Sequence, residues 1–110
     1  VGFFSKLSRK EIKKLWQEGR RCETPYFFLK WLPSISEKPQ FRVVIVVKKS
    51  LGNAVVRNRL RRLYREALRL CQKQSDSGFD IMLVVKEQSK QATFQQLLEA
   101  CLKVFKEKML

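Results

Sequence analysis

The sequence predicts an α/β fold, a small sheet covered by helices, in the order α-β-β-α-β-α with a further short strand around residues 20–24. Three observations support this. Phe41 to Val47 and Asp80 to Lys86 are apolar runs of strand length, the first of them β-branched. Between them, residues 54–71 repeat apolar positions at helical spacing, so residues 41–86 read as a strand–helix–strand crossover. Helical spacing recurs on both flanks, after Ser8 and from about Thr93 to Lys108. With 110 residues, 45% of them apolar, and no linker long enough to divide the chain, residues 1–110 form one domain.

The elements follow in order. Ser8 and Glu11 have capping-box spacing, and Leu7 with Ile12 has hydrophobic-staple spacing, which together start a helix. Ile12, Leu15 and Trp16 share one of its faces, and Gly19 is a natural stop. Trp16 either packs in the core or presents its ring to a ligand, and the residues leave both readings open. Tyr26 to Leu32 is dense in aromatics and reads as a strand ended by Pro33. Its alternation points Phe27, Leu29 and Trp31 one way and Tyr26, Phe28 and Lys30 the other, the lysine marking the wet face. Residues 34–40 read as a turn, and Phe41 to Val47 fits a strand buried on both faces. Asn53 is the N-cap of the next helix, which runs from Ala54 to about Cys71. Residues 72–78 form a polar loop. On the last helix Phe94, Leu97, Leu98, Cys101 and Phe105 make the core stripe.

The net charge of +14 has an address. Between Lys48 and Arg69 eight cations face one acid, Glu66, whereas residues 1–47 balance ten against four and residues 70–110 six against five. Like charges one helical turn apart repel, so an external anion is needed to neutralise them. At about 100° per residue, Val56, Leu60, Leu63, Ala67 and Leu70 fall in one arc and form the packed face. Arg59, Arg61, Arg62, Arg65 and Arg69 lie opposite with Asn58, and Arg57 lies on the flank near Tyr64. Guanidinium groups fork onto phosphate oxygens and stack on bases, which points to nucleic acid. A membrane-surface helix would set Trp or Phe opposite the charge, and a helix-turn-helix would need a helix where the β-run stands. RNA is therefore the favoured partner, with no membrane and no DNA expected.

Protein-based catalysis is not expected. The chain has no histidine for acid–base work. Asp76 and Asp80 flank a loop and a strand, no carboxylate cluster could hold paired metals, and Asp80 reads as a structural residue. Cys22, Cys71 and Cys101 are far apart and form no CxxC pair, which fits reduced thiols in a cytoplasmic protein. No apolar run approaches the roughly 20 residues of a membrane span. The opening VGFFSKLSRK lacks a secretory leader's apolar stretch and cleavage site, and lacks an initiator Met, so preceding residues are expected.

The run VVKKSLGNAVVRNRLRRLYREAL, residues 46–68, closely resembles the signature of the bacterial ribonuclease P protein family. Its centre is the triplet Arg57-Asn58-Arg59, after Gly-Asn-Ala-Val and before further basic residues and Arg-Glu-Ala. The resemblance extends to the N-terminal helix ending in glycine, the aromatic strand, FDIMLVV and the last helix. It implies an α+β sandwich with a left-handed β-α-β crossover, against the usual hand. It also implies a non-catalytic subunit of a ribonucleoprotein endoribonuclease, a hydrolase that removes the 5′ leader of precursor tRNA. The catalytic RNA and its Mg²⁺ ions would do the chemistry, and the partners would be that RNA and precursor tRNA. RNA-subunit contacts would fall to Lys49, Arg57, Asn58, Arg59, Arg61, Arg62, Arg65 and Arg69. A cleft between the first helix and the open sheet face would hold the single-stranded leader against Ile12, Trp16, Phe28, Lys30 and Lys86. Where the family usually reads Val-Gly-x-x-Val-Ser-Lys-Lys, this chain has Val44, Lys48 and Ser50 in place of the glycine, the serine and the second lysine. The alternative is a ribosomal-type RNA-binding protein with no processing role, which would need the arginine face but no leader cleft.

Overall fold

The computed structural model describes residues 7–34 and 41–109. The opening residues and most of the turn expected at residues 34–40 lie outside the described residues. The elements are α1 (Arg9–Glu18), β1 (Arg20–Glu23), β2 (Phe27–Pro33), β3 (Phe41–Val46), α2 (Ala54–Lys73), β4 (Phe79–Val85) and α3 (Phe94–Val104). A wider π-type turn, Phe105–Met109, continues α3, and short 3₁₀ turns precede α2 and α3. The strand order is β1-β2-β4-β3. β2 pairs antiparallel with β1 and β4, and β3 pairs parallel with β4 across the α2 crossover. The fold is α+β. α2 and α3 pack on one face of this mixed sheet over the main core, and α1 covers part of the other over Met82 and Val84.

Local signals in the sequence are realised closely. Ser8 and Glu11 close the capping box of α1, Asn53 Oδ1 accepts the Val56 N–H at 3.0 Å, and Thr93 with Gln96 caps α3. The Gly19 N–H caps α1 on the Leu15 carbonyl at 2.9 Å. A Cβ at Gly19 would lie 2.4 Å from that oxygen and 3.2 Å from the Lys30 Cβ, so glycine here allows the end of α1 to close onto β2. Gly52 has φ +153°, a conformation side chains rarely adopt, at the corner that turns the chain into α2.

Tertiary partners overrule the sequence reading at several places. β3 is an edge strand, half-buried beyond Phe41, and not buried on both faces. The doubly covered strand is β4, which has a partner on each side and starts at Phe79, one residue earlier than expected. An apolar run alone cannot reveal how many neighbours a strand will have. Tyr26 does not share a face with Phe28 and Lys30. The Thr24 hydroxyl accepts the Tyr26 and Phe27 N–H groups at 3.2 and 3.1 Å, so regular alternation begins at Phe27 and Tyr26 packs toward the main core.

On α2 the packed arc is rotated toward Tyr64, Leu68 and Cys71, leaving Val56, Leu63 and Leu70 half-buried. Tyr64, placed on the flank by spacing, is fully buried, edge-on to Phe27 at 5.6 Å. The helix also runs to Lys73, beyond Cys71, because the Gln72 side chain accepts the Phe41 N–H at 2.9 Å and anchors that last turn to β3. α3 ends at Val104, short of Lys108, where the π-type turn takes over. Cys71 and Cys101 are buried, and burial pushes the Cys71 thiol up to about 12 and the Cys101 thiol well above its usual value.

Asp80 is structural, as its place at a strand start suggests. Arg42 donates through Nε and Nη2 to its two oxygens, both at 2.8 Å, and through Nη1 pairs with Glu11 on α1. One guanidinium thereby ties the first turn of α1 to two strands, and the Asp80 hydrogen bonds are the main reason that its pKa is raised.

Candidate nucleic-acid interface

The outer face of α2 holds the first candidate surface. Asn58, Arg59, Arg62 and Arg65 are exposed and Arg61 is half-exposed. Lys48 and Lys49 are exposed on the turn just before the helix. Asn58 Oδ1 accepts from Arg61 Nη1 at 3.0 Å. Arg57 sits on the flank, half-buried, with its Nε shielded from solvent. Arg69 is set apart: its Nε donates to Glu66 at 2.9 Å, and Glu66 is held below its usual pKa by this arginine. The lone acid of the basic segment thus offsets its last arginine, while Arg59, Arg62 and Arg65 stay exposed.

The second candidate surface lies on the opposite face of the sheet. Trp16 is 54% exposed, which decides against a core role. Lys30 Nζ sits 4.7 Å from the centre of the Trp16 ring and donates to the Trp16 carbonyl at 2.5 Å. Ile12 and Phe28 are half-buried among Leu7, Leu32, Val44 and Val46, so an apolar floor adjoins the tryptophan. Lys86 is turned to the rim, donating to Glu23 Oε2 at 2.7 Å and to the Thr24 carbonyl at 2.9 Å. The structure thus brings Ile12, Trp16, Phe28 and Lys30 together and directs Lys86 to β1.

Two residues of this surface escape sequence reasoning. Arg21 lies with its guanidinium 4.1 Å from the Phe28 ring, and Glu23 bridges Arg21 and Lys86. In the β1–β2 register Arg21 faces Lys30 and Glu23 faces Phe28, so strand alternation finds both once residues 20–23 are taken as a strand.

The Lys86 hydrogen bond, followed by that of Arg21, lowers the Glu23 carboxyl from 4.5 to about 2. A carboxylate with a depressed folded-state pKa adds stability above its unfolded value and loses it as pH falls through the folded one. Stability should therefore decline from about pH 4.5 toward about 2, and Glu23→Gln should flatten part of that decline. Denaturant midpoints across this window check the expectation, and an unchanged slope in the variant would show that the bridge contributes nothing.

Among the described residues no three His, Cys, Asp or Glu side chains form a group suited to a metal ion. Glu11, Glu23 and Asp80 are each engaged by arginine or lysine, so this donor set does not fit Mg²⁺. No helix among the described residues is long and apolar enough to cross a membrane.

Comparison with known proteins shows the family and the fold. The family model described as Ribonuclease P matches residues 6–109. The Ribonuclease P protein component of Bacillus cereus is 31% identical over 96 residues, covering 87% of this chain and 83% of that protein. Its counterpart in Bacillus anthracis is likewise 31% identical, over 87% of this chain and 80% of that protein. The solved structure of the RNase P protein from Thermotoga maritima is similar at a TM-score of 0.80 and 26% identity, covering 93% of this chain and 96% of that one. A Staphylococcus aureus RNase P protein is similar at 0.78 and 27%, covering 92% and 94%. With a basic crossover helix on one sheet face and an aromatic cleft on the other, the chain belongs to the ribonuclease P protein family.

Proposed function

We propose that this chain is the subunit that binds the catalytic RNA of ribonuclease P through α2 and holds the 5′ leader of precursor tRNA in the cleft beside α1. The observation that carries the reading is the solvent-facing row of Asn58, Arg59, Arg62 and Arg65, extended by Lys49 and Arg61 and opposed by an acid that is itself paired with Arg69. Such a row covers about 10 Å of helix from Asn58 to Arg65 and can meet several phosphates. Arg57, half-buried at the flank, would steady the edge of that contact more than reach across it.

The cleft suits a single strand. Non-specific single-strand sites combine cations that follow the backbone with ring faces on which bases stack. Trp16 and Phe28 supply the rings, Lys30 and Arg21 lie over them, and Ile12 supplies apolar contact. Lys86 would act indirectly, by fixing Glu23 and hence Arg21. Mg²⁺ would belong to the RNA, whose phosphates supply the oxygen ligands that this chain's engaged carboxylates do not. The chain's own contribution is then to neutralise phosphate charge and to position the leader, in the cytoplasm where precursor tRNA is made.

The test is cleavage of precursor tRNA by a bacterial ribonuclease P RNA at low millimolar Mg²⁺, with and without the chain. Stimulation is the expected result. Trp16→Ala should weaken binding of precursor tRNA by roughly tenfold, the effect of one lost base stack, and leave binding of leaderless tRNA unchanged. Tight RNA binding without stimulation would instead support an RNA-binding protein with no processing role.

A further inference from the structure

Among the described residues two large apolar side chains stand well exposed, Trp16 in the cleft and Val55, 76% exposed, in the first turn of α2. Val55 has no part in the core, which α2 meets with its opposite side. It lines a hollow of about 520 Å³ together with Asn58, Arg61, Arg62 and Arg65. A surface that met only phosphates would gain nothing from a β-branched apolar residue amid its charge, because phosphate oxygens lose hydration against methyl groups. A nucleobase face gains from the same contact. Asn58 adds a polar edge. Its Oδ1 already accepts from Arg61, so its Nδ2 is the group left to donate outward, suited to a carbonyl oxygen or ring nitrogen. The arginines around the hollow can grip the flanking phosphates or stack on a ring.

We propose that this hollow seats one unpaired nucleobase of the bound RNA, in contact with Val55, with an acceptor on the base edge held by Asn58 and the adjoining phosphates held by Arg61, Arg62 and Arg65. The base must be unpaired, since in a continuous A-form helix neighbouring bases cover its face. The inference rests on the reading of α2 as an RNA-binding surface and adds that the surface takes a splayed nucleotide as well as backbone charge.

Two measurements test the seat. In the first, the Val55 methyl and Asn58 side-chain amide NMR signals are followed as the chain is titrated with AMP, UMP and ribose 5-phosphate. Ring-current shifts of the Val55 methyls with the nucleotides, and none with the sugar phosphate, are expected. In the second, binding to a bacterial ribonuclease P RNA is measured against salt for the wild type, Val55→Ser and Arg62→Ala. Val55→Ser should weaken binding roughly tenfold with the salt slope unchanged, whereas Arg62→Ala should lower the slope by about one. Melting curves check that Val55→Ser folds normally, as its exposure predicts. Val55 methyls that respond alike to AMP and ribose 5-phosphate, or a Val55→Ser chain that binds with wild-type affinity, would overturn the seat. Failure of the wild type to bind the RNA would overturn the reading of α2 itself, and the nucleotide titration then decides the hollow alone.

Discussion

Replacing Tyr64 by alanine should lower stability by about 3–5 kcal/mol, the usual cost of removing a buried aromatic ring. The side chain is fully buried in the main core, edge-on to Phe27 on β2. Its hydroxyl lies 2.5 Å from Ser89 Oγ, and both hydroxyls reach the Tyr26 carbonyl, Ser89 at 2.6 Å and Tyr64 at 3.3 Å. Ring and hydroxyl can be separated. Tyr64→Phe keeps the packing and leaves Ser89 still bonded to Tyr26, so about 1 kcal/mol is expected. Burial raises the phenol's pKa, so it remains a neutral hydrogen-bonding group. Urea midpoints of both variants decide the matter. A phenylalanine variant as damaged as the alanine one would mean that the hydroxyl network, and not the ring, holds α2 to β2.

Arg59→Ala combined with Arg62→Ala should weaken RNA binding about a hundredfold at moderate salt and reduce the slope of log K against log salt by about two. Both side chains are exposed on the outer face of α2. Arg69→Ala provides the internal contrast. That guanidinium is already engaged with Glu66, and its removal should change the slope by well under one unit. Titrations of RNA by the three chains at several salt concentrations give the comparison directly. A slope that also falls by about one in Arg69→Ala would mean that the RNA displaces Glu66 and reads the whole length of the helix.

Features set by neighbours along the chain are legible in the sequence alone. The capping box at Ser8 and Glu11, the cap at Asn53, the stop at Gly19 and the cationic face of α2 depend on residues within a few positions of one another. Tyr64 is misplaced by spacing because its hydroxyl partner Ser89 lies 25 positions away, and periodicity treats a tyrosine as a flank residue. β3 looks doubly buried because the pairing that makes it an edge is a property of β4. The floor of the cleft is partly legible through the alternation of Phe28 and Lys30, while its rim is not. Arg21 and Glu23 join it only through the register of β1 against β2, which the expected short strand around residues 20–24 does not itself set. The clasp of Arg42 on Asp80 and Glu11 is likewise invisible to periodicity, since its members come from three elements.

The strand order has a consequence for how the molecule is born. β2 and β3 never touch, because β4 lies between them and is made last of the four. As the chain leaves the ribosome, the β1–β2 hairpin is the sheet pairing open to it until Phe79 to Val85 have emerged. Until then α2 is already exposed, its arginines in water and its apolar face without the strand that completes the layer beneath it. Nascent-chain folding should therefore be late and abrupt, with protection from proteolysis rising only when β4 clears the exit tunnel.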